Sequence, residues 1–423
     1  MDSDNKFTQY FIADPVHGLI YIKDNIIDQL INTKTFQRLK SIKQLGFNYF
    51  LYPSGTHTRF AHSLGTYWIA YQILELKQHD LSKNEQILFL ISALLHDIGH
   101  GPFSHAFEKI FKKEKHEIKT IEILKSSEIK FILDQYKKRN DYDLLENLIN
   151  VYKHKHSNSA IVNLISSEID IDRMDFLLRD AYFTGNTLGN FNLKFLLKGI
   201  IIKKNELFFD KLVITHINSF ILARVNMYQS IYYHPKVLKF NFLFDEIVKK
   251  IKKIKTNLQL IPANFKTNLF FCDEKFNKLD YYLQLSDHDF FVDLKNLEFY
   301  PDQELKFLVN IFFNWREVKI LKYLSTSNNS KSKNYEIVKK QILNKIGPDK
   351  EIYFLKEYNP GNYFKNLINS DELKKIKIQE KYENNSELKA ISTSFLKFCN
   401  ISLTYDENDF HYYYLTVDKK FWN

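Results

Sequence analysis

The stretch Ala93-Leu94-Leu95-His96-Asp97-Ile98-Gly99-His100-Gly101-Pro102-Phe103-Ser104-His105 decides how this chain is read. An apolar helix, carrying Ile87-Leu88-Phe89-Leu90-Ile91, runs into an adjacent His-Asp pair and then into a Gly/Pro turn bearing two more histidines. Ser82 and Glu85 form a capping box that opens this helix, so His96 and Asp97 fall at its C-terminal end. A carboxylate at the end of a buried helix is costly unless it is paired or bound to a cation. Imidazole beside carboxylate is a ligand set for a divalent metal of borderline hardness.

Working outward, Arg59-Phe60-Ala61-His62-Ser63-Leu64-Gly65 places His62 at the head of a helix that continues through Trp68, Ile69, Tyr71 and Leu74. On the other side lies Ser167-Glu168-Ile169-Asp170-Ile171-Asp172-Arg173-Met174-Asp175-Phe176. Ser167 and Asp170 can cap a helix there, and Asp172, Asp175 and Arg179 share one of its faces. So many acids among Ile, Met, Phe and Leu require cations nearby. Half of the 14 histidines fall between residues 57 and 116, whereas His154 and His156 sit in a Lys-rich loop and read as surface. Together, His62, His96, Asp97 and Asp172 supply two imidazoles and two carboxylates. Such a set holds one divalent ion and leaves positions open for water and a substrate oxygen.

The 423 residues suffice for a large core with an appendage, and the net charge of +10 suits an anionic partner, nucleotide or nucleic acid. Cys272 and Cys399 make neither a CxxC motif nor a disulfide framework, which indicates a reducing compartment. No signal-peptide core or membrane-spanning run is seen, so we expect a cytoplasmic protein without membrane contact. Asp14-Pro15-Val16-His17-Gly18 reads as a turn before a short strand, Ile20-Tyr21-Ile22. Helical spacing runs from Ile26 to Leu45, residues 117–150 read as amphipathic helices, 205–216 as a hairpin, and Ile217–Lys250 as long helices. The basic run Lys249–Lys255 reads as a solvated helix face and Leu321–Lys333 as a loop. Glu351–Leu355, Ile376–Ile378 and His411–Val417 read as strands of one small sheet. The expected fold is mainly α, with a helical core over residues 1–245 and a smaller α+β region over 246–423.

The order His, His-Asp, Asp resembles the signature of HD-domain metal-dependent phosphohydrolases. Further segments are similar to the dNTP triphosphohydrolase branch of that family: Asp14-Pro15-Val16-His17-Gly18, Phe36-Gln37-Arg38-Leu39, Lys43-Gln44-Leu45-Gly46 and the motifs quoted above. The likeness is dense over 11–185, and no SAM domain is expected before it. It implies that residues 1–245 form an HD catalytic domain whose metal ligands are His62, His96, Asp97 and Asp172. The metal would be Fe, Mn, Mg, Ni, Co or Zn, since a His/Asp set accepts them all. The implied reaction is attack of metal-activated water on the α-phosphorus of a deoxynucleoside triphosphate, giving deoxynucleoside and inorganic triphosphate. His105 would be the general acid, His116 a phosphate-stabilising or alternate acid, and His100 a residue orienting a ligand. Arg59, Arg173 and Arg224 match phosphate-binding positions. Gln44, Leu45 and Asp180 match residues around the deoxyribose, and Tyr232 the aromatic over the sugar. Partners implied are the dNTP, a possible nucleotide effector, and further copies of the chain in a dimer or tetramer.

Several positions depart from the family. Pro235 follows Tyr-x-His where Lys is common, Tyr228 stands in for a His among the substrate contacts, and Phe176 replaces a Tyr. At the guanine-effector positions the chain has Asn32, Gln37 and Lys40, with Ala13 and Leu19 for polar contacts, so any nucleotide activation should follow other base rules or be absent. Two alternative functions remain open on sequence alone. One is a phosphodiesterase acting on cyclic or oligonucleotides or single-stranded nucleic acid, and the other is a non-catalytic nucleotide- or nucleic-acid-binding module.

Overall fold

A computed structural model of the protein describes residues 8–106, 116–257, 261–266, 268–271, 278–314, 319–325, 344, 350–358, 377–379, 389–390 and 410–418. His105, Ser127 and the strand residues from 319 onward are described by their backbone alone. The chain forms two compact units. One comprises Met1–Met227, Glu274–Asp287 and Glu372–Thr393; the other comprises Tyr228–Asp273, His288–Asp371 and Ser394–Asn423.

The first unit opens with an antiparallel hairpin of β1 (Tyr10–Asp14) and β2 (Gly18–Ile22). Asp14 Oδ1 accepts the N–H groups of Val16 and His17 at 3.0 and 2.9 Å, and Gly18 takes the left-handed φ of 76° that closes the turn. The helix expected from Ile26 to Leu45 is instead broken into α1 (Asn25–Ile31), α2 (Lys34–Gln37) and a 3₁₀ turn (Arg38–Ser41). Thr33 causes the break: it is extended, and its hydroxyl accepts the Phe36 N–H and so starts a new helix.

The organising pair is α3 (Arg59–Glu75), capped by Thr58, and α4 (Lys83–Leu95), whose Ser82/Glu85 capping box is complete. Both are buried along most of their length. Leu64, Tyr67, Ile69 and Ala70 on one, and Leu88, Phe89, Ile91 and Leu94 on the other, lie in the core. Further helices follow: α5 (His116–Leu124), α6 (Ser127–Asn140), α7 (Leu144–Tyr152), α8 (Ser159–Ile165), α9 (Ile171–Thr184), α10 (Leu193–Lys198) and α11 (Ile214–Met227). Helix α9 packs across α3, and Gly65 permits the approach. A Cβ built there would lie 1.8 Å from Asp175 Oδ1 and 2.5 Å from Arg179 Nη2. Gly65→Ala should therefore destabilise the protein by about 1–3 kcal/mol or more, as overpacking does. A urea melt indistinguishable from wild type would refute the close approach.

The hairpin expected at 205–216 lies slightly earlier, as β3 (Ile200–Lys203) and β4 (Glu206–Asp210). Lys204 and Asn205 supply the two positive φ values of its turn, and Asp210 caps the following 3₁₀ turn through the Leu212 N–H. Strand β4 continues in parallel to a strand at Lys377–Gln379, which pairs with Lys389–Ala390. The strand expected near Ile378 thus belongs to this sheet, not to that of Glu351–Leu355 and His411–Val417; Ile376 lies outside the described residues.

In the second unit, α12 (Pro235–Lys255) packs on α13 (Gln303–Phe313) through aromatic contacts such as Phe240–Phe312 and Phe244–Phe312. Ile251 and Ile254 are buried while Lys249, Lys252 and Lys253 are exposed, which is the solvated face expected for the basic run. A three-stranded antiparallel sheet has the order Lys319–Ser325, Phe410–Asp418, Lys350–Tyr358. Leu321–Ser325 is thus strand rather than loop, because it pairs in register with Phe410–Tyr414, while 326–333 lie outside the described residues. Among the described residues, no helix is long and apolar enough to cross a membrane. The molecule is mainly α-helical, as its hydrophobic periodicity predicts.

Candidate metal centre

Three helices of the first unit bring His62, His96, Asp97 and Asp172 together. His62 lies one turn into α3 and is fully buried; His96 is the C-cap of α4; Asp172 is in the first turn of α9. His62 Nε2 is 3.1 Å from His96 Nε2, 3.0 Å from Asp172 Oδ1 and 3.5 Å from Asp97 Oδ2. His96 Nε2 is 3.5 Å from Asp97 Oδ1 and 3.7 Å from Asp172 Oδ1. Each imidazole directs its Nδ1 elsewhere: His62 to the Asp175 carboxylate at 2.7 Å, His96 to the Ala93 carbonyl at 2.8 Å. Both acceptors require that Nδ1 carry the proton, so in neutral imidazoles the Nε2 atoms are lone pairs. Two lone pairs facing each other between carboxylate oxygens cannot satisfy one another. A cation can, and the donor set fits a divalent metal.

The local potential shows the same demand. Burial disfavours imidazolium at His62, yet hydrogen bonds to Asp172 and Asp175 and the charge of Asp97 outweigh it and raise the pKa to about 10. His96 is likewise raised, burial being outweighed chiefly by Asp97. Burial alone would raise Asp97, but Arg59 and then the two imidazoles bring it down to about 2. Asp172 is held well below the carboxylate range, the imidazole hydrogen bonds prevailing over burial.

Asp175, fully buried, anchors this set from behind. It accepts from His62 Nδ1, from His17 Nε2 at 2.6 Å, and from Arg179 Nε and Nη2, both at 2.9 Å. Burial opposes its charge, but Arg179, His17 and His62 hold its pKa well below the usual value. The Arg179 fork continues to Asp14, with Nη1 to Oδ2 at 2.7 Å. A buried chain of charge thus runs from the β1–β2 turn through Arg179 and Asp175 to His62. Asp175 and Arg179 had a sequence signal, the shared helix face with Asp172; their partnership with Asp14 and His17 had none beyond the turn motif.

The three arginines expected at phosphate each rest on a carboxylate. Arg59, 3% exposed, contacts Asp97 and donates Nε to Ser104 Oγ at 3.0 Å. Arg173 contacts Asp170 and the Ser167 carbonyl, and Arg224 contacts Glu168. Burial lifts the Asp170 carboxyl to about 6 against the pull of Arg173.

His100 Nε2 lies 3.7 Å from Asp97 Oδ1, and its ring meets that of His116 edge-on at 3.8 Å. Asp97, His100 and His116 form a second group whose ligand atoms lie within 4.8 Å of one another. Gly99 permits this packing: a Cβ there would lie 2.2 Å from the His116 carbonyl oxygen. Arg38 Nη2 donates to the Ile98 and His100 carbonyls at 2.7 and 2.8 Å, and Tyr282 donates to Gly99 O at 2.6 Å; nothing in the sequence marked either role. The backbone of His105 lies in a 3₁₀ turn, and its side chain is outside the described part.

Gln44 and Asp180 are joined through His57. Gln44 N–H donates to the His57 carbonyl at 3.0 Å, and His57 Nε2 meets Asp180 Oδ1 at 2.7 Å between buried side chains. Leu45 is buried beside Gln44. Tyr228 and Tyr232 belong to the second unit, in a π-helical turn with ring centres 4.9 Å apart.

Residues 59–180, the stretch bearing all four convergent candidate ligands, match the HD domain family. The protein MG461 of Mycoplasma genitalium is 32% identical over 439 aligned positions, covering 93% of this chain and 99% of its own. The mouse deoxynucleoside triphosphate triphosphohydrolase SAMHD1 is 33% identical over 219 residues, covering 44% of this chain and only 33% of the mouse protein. The crystal structure of a phosphohydrolase from Bacteroides thetaiotaomicron superposes with a TM-score of 0.75 at 25% identity, covering 97% of this chain and 100% of that one. With two imidazoles and two carboxylates converging on the helices of the matched domain, this chain belongs to the HD-domain phosphohydrolase family.

Proposed function

We propose that this protein hydrolyses deoxynucleoside triphosphates to deoxynucleoside and inorganic triphosphate. The observation that carries this reading is the convergence of His62, His96, Asp97 and Asp172, with Arg59 seated on one candidate ligand and Arg173 next in sequence to another. The similarity to the mouse triphosphohydrolase over 44% of this chain supports it. A divalent metal in that cluster would polarise a phosphate oxygen and lower the pKa of water.

The chain's own residues do the rest. Asp175 holds the His62 ring so that Nε2 faces inward, and the Ala93 carbonyl does so for His96. Arg59 and Arg173, each held in place by a carboxylate, would present a planar guanidinium to a polyphosphate, a fork that suits its oxygens. His116, with His100 against it, and His105 are the candidates to protonate the departing 5′-oxygen. His57 steadies Asp180, which with Gln44 and Leu45 would receive the deoxyribose. A dimer or tetramer and a nucleotide effector belong to the same proposal.

The test is incubation with each dNTP, singly and in pairs, with Mn²⁺, Mg²⁺ or Fe²⁺ and separation of the phosphate products. Inorganic triphosphate is expected. Nucleoside monophosphate as the product would replace this reading with a phosphodiesterase.

A further inference from the structure

Residues 278–287 belong to the first unit although the chain has left it at Met227, and they bring with them Asp287, 3% exposed. Its carboxylate bridges two loops: Oδ2 accepts the Lys43 N–H at 2.9 Å and Oδ1 accepts the Phe103 N–H at 2.8 Å. Lys43 directly precedes Gln44-Leu45, and Phe103 directly precedes Ser104-His105. The loops are joined a second time by Ser104, whose hydroxyl donates to the Lys43 carbonyl at 2.8 Å and accepts from Arg59 Nε at 3.0 Å. Arg59 in turn contacts the ligand Asp97. Phe103 and Ser104 have φ values of 57° and 53°, a region that residues with a Cβ rarely occupy and hold only where their surroundings fix them.

We propose that Asp287 is a positioning residue, a two-armed clamp that sets the spacing between the loop carrying Gln44-Leu45 and the turn carrying Ser104-His105. It rests on the hydrolytic reading for what those loops touch: nucleoside on one side, leaving group and phosphate on the other. The chemistry requires a carboxylate. Both partners are N–H donors, so both oxygens must accept. An amide of the same shape offers one oxygen and turns an NH₂ group against the other donor. The clamp acts on register rather than on the metal, since neither arm touches a ligand.

The experiment uses the full chain with Asp287→Asn, and with Asp287→Glu as a variant that keeps both acceptors on a longer arm. Amide hydrogen exchange over 42–46 and 99–106, metal content, and kcat and KM for dNTP hydrolysis are compared with wild type. In Asp287→Asn we expect faster exchange in these loops with α3 unchanged, full metal content, and kcat lower by roughly 10–100-fold with KM little altered, as for a small misplacement of reacting groups. Asp287→Glu should recover part of the loop protection. Wild-type exchange and kcat in Asp287→Asn would overturn the proposal, as would uniform loss of protection across α3 and α4 with loss of metal. If wild type releases no triphosphate, the functional reading falls on that control, and the exchange data still decide whether the clamp exists.

Discussion

His96→Ala should leave a folded protein that no longer retains divalent metal, with hydrolysis down by at least about 10³-fold, the several kcal/mol that a lost metal site forfeits. The reason lies in how the four side chains would share a cation. His96 Nε2 faces His62 Nε2 at 3.1 Å, and the two carboxylates lie on either side. Removing one neutral ligand leaves His62 alone between two acids, a weaker site for any borderline metal. The fold should survive, because the His96 side chain sits at the edge of the core, 10% exposed, and makes its local hydrogen bond to the Ala93 carbonyl of its own helix. Metal analysis of the purified protein and a product assay check the two halves separately. Stoichiometric metal in the variant would show that the ion, if bound, is held elsewhere.

The second large effect concerns a residue that touches no substrate. Asp175→Asn should cost about 3–5 kcal/mol of stability, as breaking a buried ion pair does, and weaken metal binding by about 10–100-fold. Asp175 takes four donors from His62, His17 and Arg179, and the last of these is fully buried. An amide can accept at only one atom, so at least one cationic N–H is left facing a donor. His62 then loses the partner that fixes its tautomer and ring orientation. Since the folded-state pKa of Asp175 lies below the ordinary carboxylate value, its stabilisation is fully present above about pH 4 and is lost as pH falls through the folded value. Denaturant melts and a metal titration test both effects. A stability change below about 1 kcal/mol would mean that Asp14 alone can hold Arg179.

Much of this was legible in the residues. The capping box at Ser82 and the apolar run behind it require a buried helix ending at His96-Asp97, and the structure ends it there. The face shared by Asp172, Asp175 and Arg179 survives in α9, since helical spacing is a local property. Local rules were weaker where a single side chain could end an element. Thr33 interrupts the helical spacing of 26–45, because its hydroxyl gains more as a cap than in a helix interior. The strand near Ile378 was visible but its sheet was not, since pairing is a contact between distant segments.

Residue type and helical period alone point to a mainly helical chain and to His62, His96, Asp97 and Asp172 as the candidate metal-binding positions. Tertiary structure alone decided which side chains stand behind those ligands. Asp14 meets Arg179, His17 meets Asp175, His57 meets Asp180, and Asp287 clamps Lys43 to Phe103. Each of these contacts spans at least 123 residues of sequence, from 123 between His57 and Asp180 to 244 between Asp287 and Lys43. Periodicity carries no information over such separations. Only folding, by burying charges that must then find partners, makes them neighbours.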